Sequence, residues 1–285
     1  MTPLPGLRRF HTLIAAALAL ALLAATGAAQ TPAPPPAPED DPDLDINFAQ
    51  PDFTVIALPT TLRVPKSKSA FRVTHRFARP LGAGDFGSLL EDFFGFDAGA
   101  QIGLEYRFGL LRGTQVGIHR TSDRTIQFFT EHSLRRQGAA APVGLAVVAA
   151  VDGTDNFRDE YSPSLGLVLS REIADRAALY AQPIWVNNVN IRPGDARDDY
   201  AVLLGLAARL RVRPSVYLVV EGAPRVAGYD GGADHVSFGI EKRSGGHSFQ
   251  INFSNGFGTT MAQIARGGTA SDDWYIGFNI SRKFF

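Results

Sequence analysis

The chain has 285 residues, and its 28 basic and 28 acidic side chains give no formal net charge at pH 7. Without a large field of one sign, we expect no nucleic-acid partner. The absence of cysteine excludes disulfides, a cysteine nucleophile and thiolate metal sites. The 6 histidines are scattered along the sequence, so we expect neither a bound metal nor a cofactor.

The first 29 residues predict a secretory signal peptide. Two arginines precede an apolar stretch over residues 13–25, which is too short to span a membrane comfortably. Gly27 and Ala29 fit the small-residue positions of a cleavage site. We therefore predict that residues 1–29 direct export and are removed.

Residues 30–68 are predicted to form a periplasmic linker. The stretch 31–45, TPAPPPAPEDDPDLD, is rich in proline and acidic side chains, which favours an extended, solvated chain without a core. Within the linker, residues 53–64 could add a short strand or a periplasmic extension. Pro59 argues against a long regular strand there, and the sequence leaves the two alternatives open.

Residues 69–285 are dominated by alternation of apolar and polar side chains. In the stretch 100–109, AQIGLEYRFG, one face is apolar and the other polar, as in a strand with one face toward lipid or core. Similar stretches occur about a dozen times: residues 71–77, 100–109, 113–120, 124–134, 142–151, 161–171, 177–187, 200–212, 215–222, 235–242, 247–255 and 274–284.

Long and short connections alternate between these stretches. The third-to-fourth connection, TSDR at 121–124, is the exception. Outer-membrane barrels join their strands by short periplasmic turns and longer outer loops, whereas a soluble sandwich has no such requirement. Only helices and closed barrels satisfy every backbone group in lipid. The pattern predicts an all-β, antiparallel up-and-down barrel of about 12 strands in a Gram-negative outer membrane. Strand seven is ambiguous in phase, and Pro183 could mark a bulge.

Several segments resemble a family of uncharacterised bacterial outer-membrane β-barrels that is known only as a domain of unknown function. The most specific is SGGHSFQINFSNGFGTT at 244–260, followed by WYIGFNISRKF at 274–284. The segments FRVTHRF, GAQIGLEYRFG, GIHRTSDRTIQ and AQPIWVNN add to the likeness, which spans residues 70–285. The resemblance implies an outer-membrane location and a barrel fold. It brings no activity and no catalytic residues.

The polar faces of the strands are assigned to the lumen, and their charged residues are the candidate functional residues. Such charges either pair across strands and fill the interior or line a water-filled path. The first long loop, 84–97, has apolar residues at helical spacing and could fold over the mouth, into the lumen or on the surface. The lumen-facing candidates are Arg72, Arg76, Glu105, Arg107, His119, Glu131, Arg209, Arg211, Glu221, Glu241 and Lys283.

A pore or transporter for small polar or ionic solutes is the leading functional hypothesis. The alternative is a structural or partner-binding barrel that acts through its long outer loops. A remote alternative is an outer-membrane phospholipase, because His235 and Ser237 lie two residues apart on one strand face. No third group that would orient the histidine can be identified, so we expect that the protein is not an enzyme.

The chain ends in WYIGFNISRKFF, which is predicted to pair with the first strand and close the barrel. It also resembles the C-terminal signal of outer-membrane proteins, which implies that the barrel-assembly machinery is a partner besides outer-membrane lipid. In this interpretation Phe285 is an extra residue beyond the signal. The predicted signal residues are Trp274, Gly277, Phe278, Ile280 and Phe284.

Overall fold

The structure is a computed structural model that describes residues 41–190, 199–268, 270 and 272–285. The predicted signal peptide and residues 30–40 lie outside the described residues. The described strands are β1 (Ser69–Phe77), β2 (Ala100–Leu111), β3 (Thr114–Thr121), β4 (Ile126–Arg135), β5 (Gly144–Gly153), β6 (Asp159–Ile173), β7 (Ala177–Asn187), β8 (Tyr200–Arg213), β9 (Val216–Ala223), β10 (Arg225–Gly228), β11 (His235–Ser244), β12 (His247–Ser254) and β13 (Tyr275–Lys283).

These strands form one closed antiparallel barrel. Each strand from β1 to β8 pairs with its sequence neighbour, and β1 also pairs with β13. Proline 224 separates β9 from the short β10, and both pair with β8, so β10 continues β9. Among the described residues, the 13 strands therefore occupy 12 positions around the ring. The predicted barrel is confirmed.

Side chains along each strand alternate between the outer and inner faces of the wall. In β2, Leu104 and Tyr106 are exposed while Glu105 and Arg107 are buried. The same alternation holds in β12 and β13, and exposed apolar side chains form an outer belt. The inward faces of β5, β7 and β8 are largely apolar instead, as at Val148, Ile184 and Leu203, so one side of the interior is polar and the other apolar. An apolar exterior is the arrangement that a barrel needs in lipid.

Strand β7 keeps a regular register, so the predicted bulge at Pro183 is wrong. Pro183 lies opposite Leu204 of β8 in an unbroken ladder. On its other side, the ladder with β6 lacks pairs between Ile184 and Ala181 but resumes in the same register. A proline has no N–H to donate, and here that missing donor interrupts bonding without shifting the strand.

The two ends of the barrel differ in their connections. At one end, here called the short-turn end, tight turns such as 112–113, 214–215 and 245–246 join the strands. The opposite long-loop end carries the connections 78–99 and 255–274, which contain helix α1 (Phe86–Glu91), a 3-10 helix (Phe93–Ala98) and helix α2 (Met261–Arg266).

No helix of the described part is long and apolar enough to cross a membrane.

Candidate functional site

The lumen of the barrel is occupied by the chain that precedes β1. Residues 49–64, here called the lumen segment, are mostly buried. The segment turns back on itself: the amide of Val55 donates to the carbonyl of Leu58 at 2.8 Å, and that of Thr60 donates to Phe53 at 2.9 Å. This tight turn resolves the open question over residues 53–64. They are neither a wall strand nor a solvated linker.

The tip of the turn is held by one carboxylate. Glu221 on β9 accepts the backbone N–H groups of Ile56, Ala57 and Leu58 at 2.9, 2.9 and 3.1 Å. We call this arrangement the Glu221 clasp. Glu221 is buried and also contacts Nε2 of His235 at 2.9 Å. Hydrogen bonds to an ionised acceptor are stronger than neutral ones, so the clasp is a strong local anchor.

Wall side chains from several strands bind the carbonyl groups of the same segment. Arg209 donates to Thr54 at 2.8 Å, and Gln182 donates to Pro59 at 2.8 Å. The carbonyl of Val55 accepts from Gln250 at 2.8 Å. Two further donors, Arg72 and Asn279, reach the carbonyl of Ile56 at 2.9 and 3.0 Å. Because these donors come from different sides of the ring, the segment lies inside the barrel.

Nearer the short-turn end, polar side chains of the wall hold the rest of the segment. Glu172 on β6 accepts hydrogen bonds from Asn47 and Gln50. Ser281 donates to Asp52 at 2.6 Å. The remaining contacts join Thr61 to Ser170, Arg63 to Ser133 and Gln115 to the carbonyl of Leu62. The segment therefore enters the lumen from the short-turn end, where the predicted linker was expected to be solvated.

Most of the predicted lumen charges form ion pairs inside the barrel. Glu105 contacts Arg107 and Arg72, the latter at 3.5 Å, and lies 3.8 Å from Nδ1 of His119. Arg107 also lies 3.6 Å from Glu131. Mutual pairing explains how these side chains can be almost fully buried on the inner face.

A second group of charges lies against β8 and β11. Arg209 and Glu241 form an ion pair at 2.9 Å. Arg211 is half-buried at the short-turn rim, where its guanidinium donates to the carbonyl of Pro214. It is thus a rim residue rather than part of the filled interior. Lys283 lies over the ring of Phe53, with Nζ 5.0 Å from the ring centre.

Arg76 differs from the other lumen arginines. Its guanidinium donates to the carbonyl of His75 at 2.9 Å and to Oδ1 of Asn279 at 3.0 Å. Within the described residues no carboxylate lies within ion-pair distance of it. Burial of a cation is costly without a partner, and here neutral oxygen acceptors take that role.

Helix α2 occupies the other end of the lumen. Thr260 caps it, and the side chain of Gln263 accepts the backbone N–H of Thr260 in return. Gln263 also donates to Thr121 and Asp123, at 3.1 and 2.9 Å, while Thr260 donates to Asp152 on β5. The apolar side of α2, including Ile264, is buried in the main apolar cluster.

The first long loop stays on the surface. Phe86 and Phe93 are 69% and 64% exposed and helix α1 buries no side chain, so the alternative in which this helical stretch enters the lumen is wrong. Asp85 caps α1 by accepting the N–H of Ser88 at 2.8 Å, and hydrogen bonds from Ser88 lower the pKa of Asp85. Among the described loop residues, helix α2 enters the barrel.

A small cavity of about 30 Å³ remains between the two fillings. Its lining includes Glu105, Arg107 and Glu131 of the wall, Pro59 of the lumen segment and Met261 of α2. A space of this size can hold a water molecule when polar partners line it. One buried atom of a lining residue, Nη1 of Arg107, has no hydrogen-bond partner among the described residues.

The geometry around His235 does not match a hydrolase relay. The Ser237 hydroxyl lies 3.3 Å from Nε2 of His235, and the Glu221 carboxylate lies 2.9 Å from the same nitrogen. A relay needs the base to contact the serine through one ring nitrogen and the orienting acid through the other. Ser237 instead donates to Ser254 at 2.8 Å. Glu221 is also committed to the clasp, so this arrangement gives the phospholipase hypothesis no support.

The predicted assembly-signal residues lie on β13 or at its ends, and their role stays a prediction. Phe278 and Ile280 face outward, Gly277 faces inward, and Trp274 and Phe284 flank the strand. Phe285 is not simply an extra residue: it packs against the cluster of Phe53, Val64 and Ala70 inside the short-turn end.

Sequence analysis missed the uncharged side chains that hold the lumen segment. A signal for them was present, because each occupies a polar position in an alternating strand. The lumen-facing candidates were charged residues, so side chains with amide or hydroxyl groups were not among them. The missed residues are Gln115, Ser170, Gln182, Gln250, Asn279 and Ser281.

Among the described residues, no group of three or more histidine, aspartate or glutamate side chains could hold a metal ion.

Comparison with solved structures finds other barrels. The NanC porin aligns with a TM-score of 0.50 and 8% identity over 77% of this chain and 100% of that chain. The KdgM porin in complex with disordered oligogalacturonate gives 0.49 and 6% over 76% and 99%. An outer membrane channel from Pseudomonas putida F1 gives 0.46 and 9% over 78% and 97%. At such low identities the likeness concerns the fold.

No curated protein sequence matches this chain. A family model described as a membrane bound beta barrel domain (DUF5777) matches residues 52–284. The match begins inside the lumen segment and runs through every strand to β13, so the turn held by Glu221 belongs to the matched region. The chain therefore belongs to the family of membrane bound beta barrel domains, DUF5777.

Proposed function

We propose that this protein is an outer-membrane channel for small polar or ionic solutes, closed at rest by the lumen segment. The observation that carries the proposal is the polar chemistry between segment and wall. The wall meets the backbone of the segment with charged and amide side chains, among them Glu221, Arg209 and Gln250. Water can replace such bonds when the segment leaves, and the polar part of the exposed wall would be hydrated.

The width of the lumen supports the same proposal. In narrow barrels the side chains of the wall fill the interior, whereas wide barrels enclose an aqueous path. This ring holds a folded-back stretch of chain in addition to its own side chains. Once vacated, that space would admit a small solute.

The way in which the segment is attached makes withdrawal possible. It joins the wall directly at β1, through residues 65–68, and its other end emerges at the short-turn end. Within the described residues the stretch is covalently joined to the wall at β1 alone, whereas the connection that carries α2 is joined to a strand at each end. The lumen segment is therefore the movable element in the proposed channel.

A second candidate function, a permanently filled barrel that binds a partner through its outer loops, is favoured by helix α2. The helix closes the long-loop end and buries Ile264 and Gln263 there. At the same end, Phe86 of helix α1 is exposed. If this candidate function is right, the barrel does not conduct ions whether the lumen segment is present or removed.

We further propose that the protein reaches the outer membrane through a signal peptide that is cleaved after residue 29. The apolar belt and the barrel fold support a membrane location. Fractionation of the producing cells and N-terminal sequencing of the purified protein test this, with residue 30 expected as the first residue. A mature chain that still begins at Met1 would contradict the proposed cleavage.

Conductance across planar bilayers tests the channel. The unmodified protein should stay mostly closed, and a variant lacking residues 41–64 should conduct ions more often, because the part of the lumen that the segment fills is vacated while α2 remains. A variant lacking residues 84–97 is the control, since that loop lies on the surface and its loss should leave the channel closed. Folding of each variant is checked by heat-dependent migration in gels.

Helix α2 requires one more variant, which lacks residues 41–64 and also residues 258–268. If both deletion variants fold and neither conducts, the channel is wrong and the filled, partner-binding barrel is favoured. If the unmodified protein conducts as well as the deletion variants, the channel stands and closure by the lumen segment is wrong.

A further inference from the structure

Every described strand that runs toward the short-turn end has an exposed basic side chain within two residues of its last residue. The pattern holds for β2, β4, β6, β8, β11 and β13, although their sequences otherwise differ. We call this set the basic collar: Arg112, Arg135, Arg136, Arg171, Arg213, Lys242 and Arg282.

The collar lies at the edge of the apolar belt. Exposed apolar side chains stand next to several of its members in the chain, including Leu111, Leu134 and Val212. Long basic side chains at such a boundary place their methylene groups along lipid and their charge in the headgroup layer. The collar thus lies where the phosphates of lipid headgroups are found.

The acidic groups of this end do not neutralise the collar as a whole. Glu172 binds Asn47 and Gln50, and Asp43 pairs with Arg136. Within the described part of the chain, Arg171, Lys242 and Arg282 have no carboxylate within ion-pair distance. Arg171 donates to a backbone carbonyl and Arg282 contacts His247, which leaves their positive charge uncompensated.

The long-loop end has the opposite character. Acidic residues outnumber basic ones in its loops, and several of its arginines are paired, such as Arg79 with Asp92 and Arg225 with Asp234. The chain carries no net charge as a whole, yet its charge is polarised along the barrel axis. If the basic side chains only kept the two rims solvated, they would not need to be concentrated at the short-turn end.

We infer that the basic collar binds the phosphate groups of anionic phospholipids in the leaflet at the short-turn end. Guanidinium groups form paired hydrogen bonds with phosphate, and a ring of them around the barrel can engage several headgroups at once. The short-turn end of an outer-membrane barrel faces the periplasmic leaflet, which makes phospholipid the source of the phosphate rather than lipid A. Binding by the collar is independent of whether the lumen opens.

The test uses the full mature protein, solubilised in a neutral detergent and titrated with phosphatidylglycerol or phosphatidylcholine of equal chain length. Native mass spectrometry counts the lipids retained. Phosphatidylglycerol should bind in preference and should be released as salt rises. The collar variant carries Arg171→Gln, Lys242→Gln and Arg282→Gln. Each lost charge near an anionic surface should weaken binding about five-fold, so the three together should weaken it at least ten-fold.

The matched control carries Arg120→Gln, Arg124→Gln and Arg158→Gln, which remove the same charge from the long-loop end. It should retain phosphatidylglycerol like the unmodified protein. Equal retention of the two phospholipids by the unmodified protein overturns the inference, as does an equal loss in the control. A third arm uses lipid A; preferential binding of lipid A that disappears in the collar variant overturns the assignment to the phospholipid leaflet.

Discussion

The two fillings of the lumen use different chemistry. The lumen segment is held mainly through its backbone, which the wall meets with Glu221, Arg209, Gln182 and other polar side chains. Helix α2 is held through its own side chains, with an apolar face in the main cluster and a polar cap on Asp152. Both fillings bury apolar surface, because Val55, Ile56 and Leu58 lie in the same cluster as Ile264, but the backbone of the segment is also held by many polar bonds that water can replace.

This difference teaches which filling is suited to move. Hydrogen bonds to water compensate for most of a lost polar contact, so its net contribution is small unless a charge is involved. Apolar surface has no such compensation on exposure. The Glu221 clasp, the charged exception, is therefore the contact on which the resting position of the segment should depend most.

The substitution Glu221→Gln should have the largest effect. It removes the charge that three backbone N–H groups share and should lower the free energy of docking of the lumen segment by about 3 kcal/mol. Hydrogen exchange at residues 56–58 measures this, and the rate should rise about 100-fold. The control Ser237→Ala lies beside His235 and makes no bond to the segment among the described contacts. If hydrogen exchange at residues 56–58 were unchanged in E221Q, the clasp would not be what holds the segment.

The substitution Ile264→Ala tests the opposite filling. It should cost about 2–3 kcal/mol in the local stability of α2, because a buried large side chain leaves a cavity. Exchange at residues 261–266 should increase while exchange at residues 56–58 stays the same. Leu90→Ala in the exposed helix α1 is the control and should change local stability by less than about 0.5 kcal/mol. Loosening of both fillings by I264A would mean that they act as one unit.

A smaller effect is expected at the cap of α2. Thr260→Val removes the side-chain cap and the bond to Asp152 and should cost about 1 kcal/mol of local stability, again read from exchange at residues 261–266. The neighbouring Thr259→Val is the matched control, because the hydroxyl of Thr259 has no hydrogen-bond partner among the described residues. Equal effects of the two substitutions would show that the cap is not what holds the helix.

The smallest effect is expected at the C-terminus. Removal of Phe285 should leave assembly intact and loosen the short-turn end by less than about 1 kcal/mol, since its ring is only partly buried against Phe53. In the same truncated chain, Phe284→Ala should impair assembly if Phe284 belongs to the assembly signal. The yield of folded barrel in outer-membrane fractions measures both, and equal yields would refute that assignment.

The wall could be predicted from the sequence because its signal is local. Each strand alternates between lipid and lumen, so β7 was placed at its observed bounds, 177–187, in spite of Pro183. The charged members of the inner face, such as Glu105 and Arg107, followed from the same period. That these residues bind the lumen segment could not be predicted, because a bond to a backbone group leaves no trace in the sequence of the bound segment.

The two fillings were missed for different reasons. The lumen segment follows a proline-rich acidic stretch, which favoured solvation, and its own residues do not alternate. Helix α2 did carry a readable signal, the spacing of Thr260 and Gln263 that is typical of a capping box. The helical spacing of apolar residues in loop 84–97 suggested a lumen filling there instead, although helix α1 in that loop buries no side chain.

The carbonyl of Ile56 has a consequence for the order of folding. Arg72 and Asn279, which both donate to it, belong to β1 and β13, the first and last strands of the ring. These strands are far apart in the chain and meet only when the seam closes. The lumen segment precedes both in synthesis. It can therefore act as a template that gathers the two edges, which would lower the entropic cost of forming the longest-range pairing in the molecule.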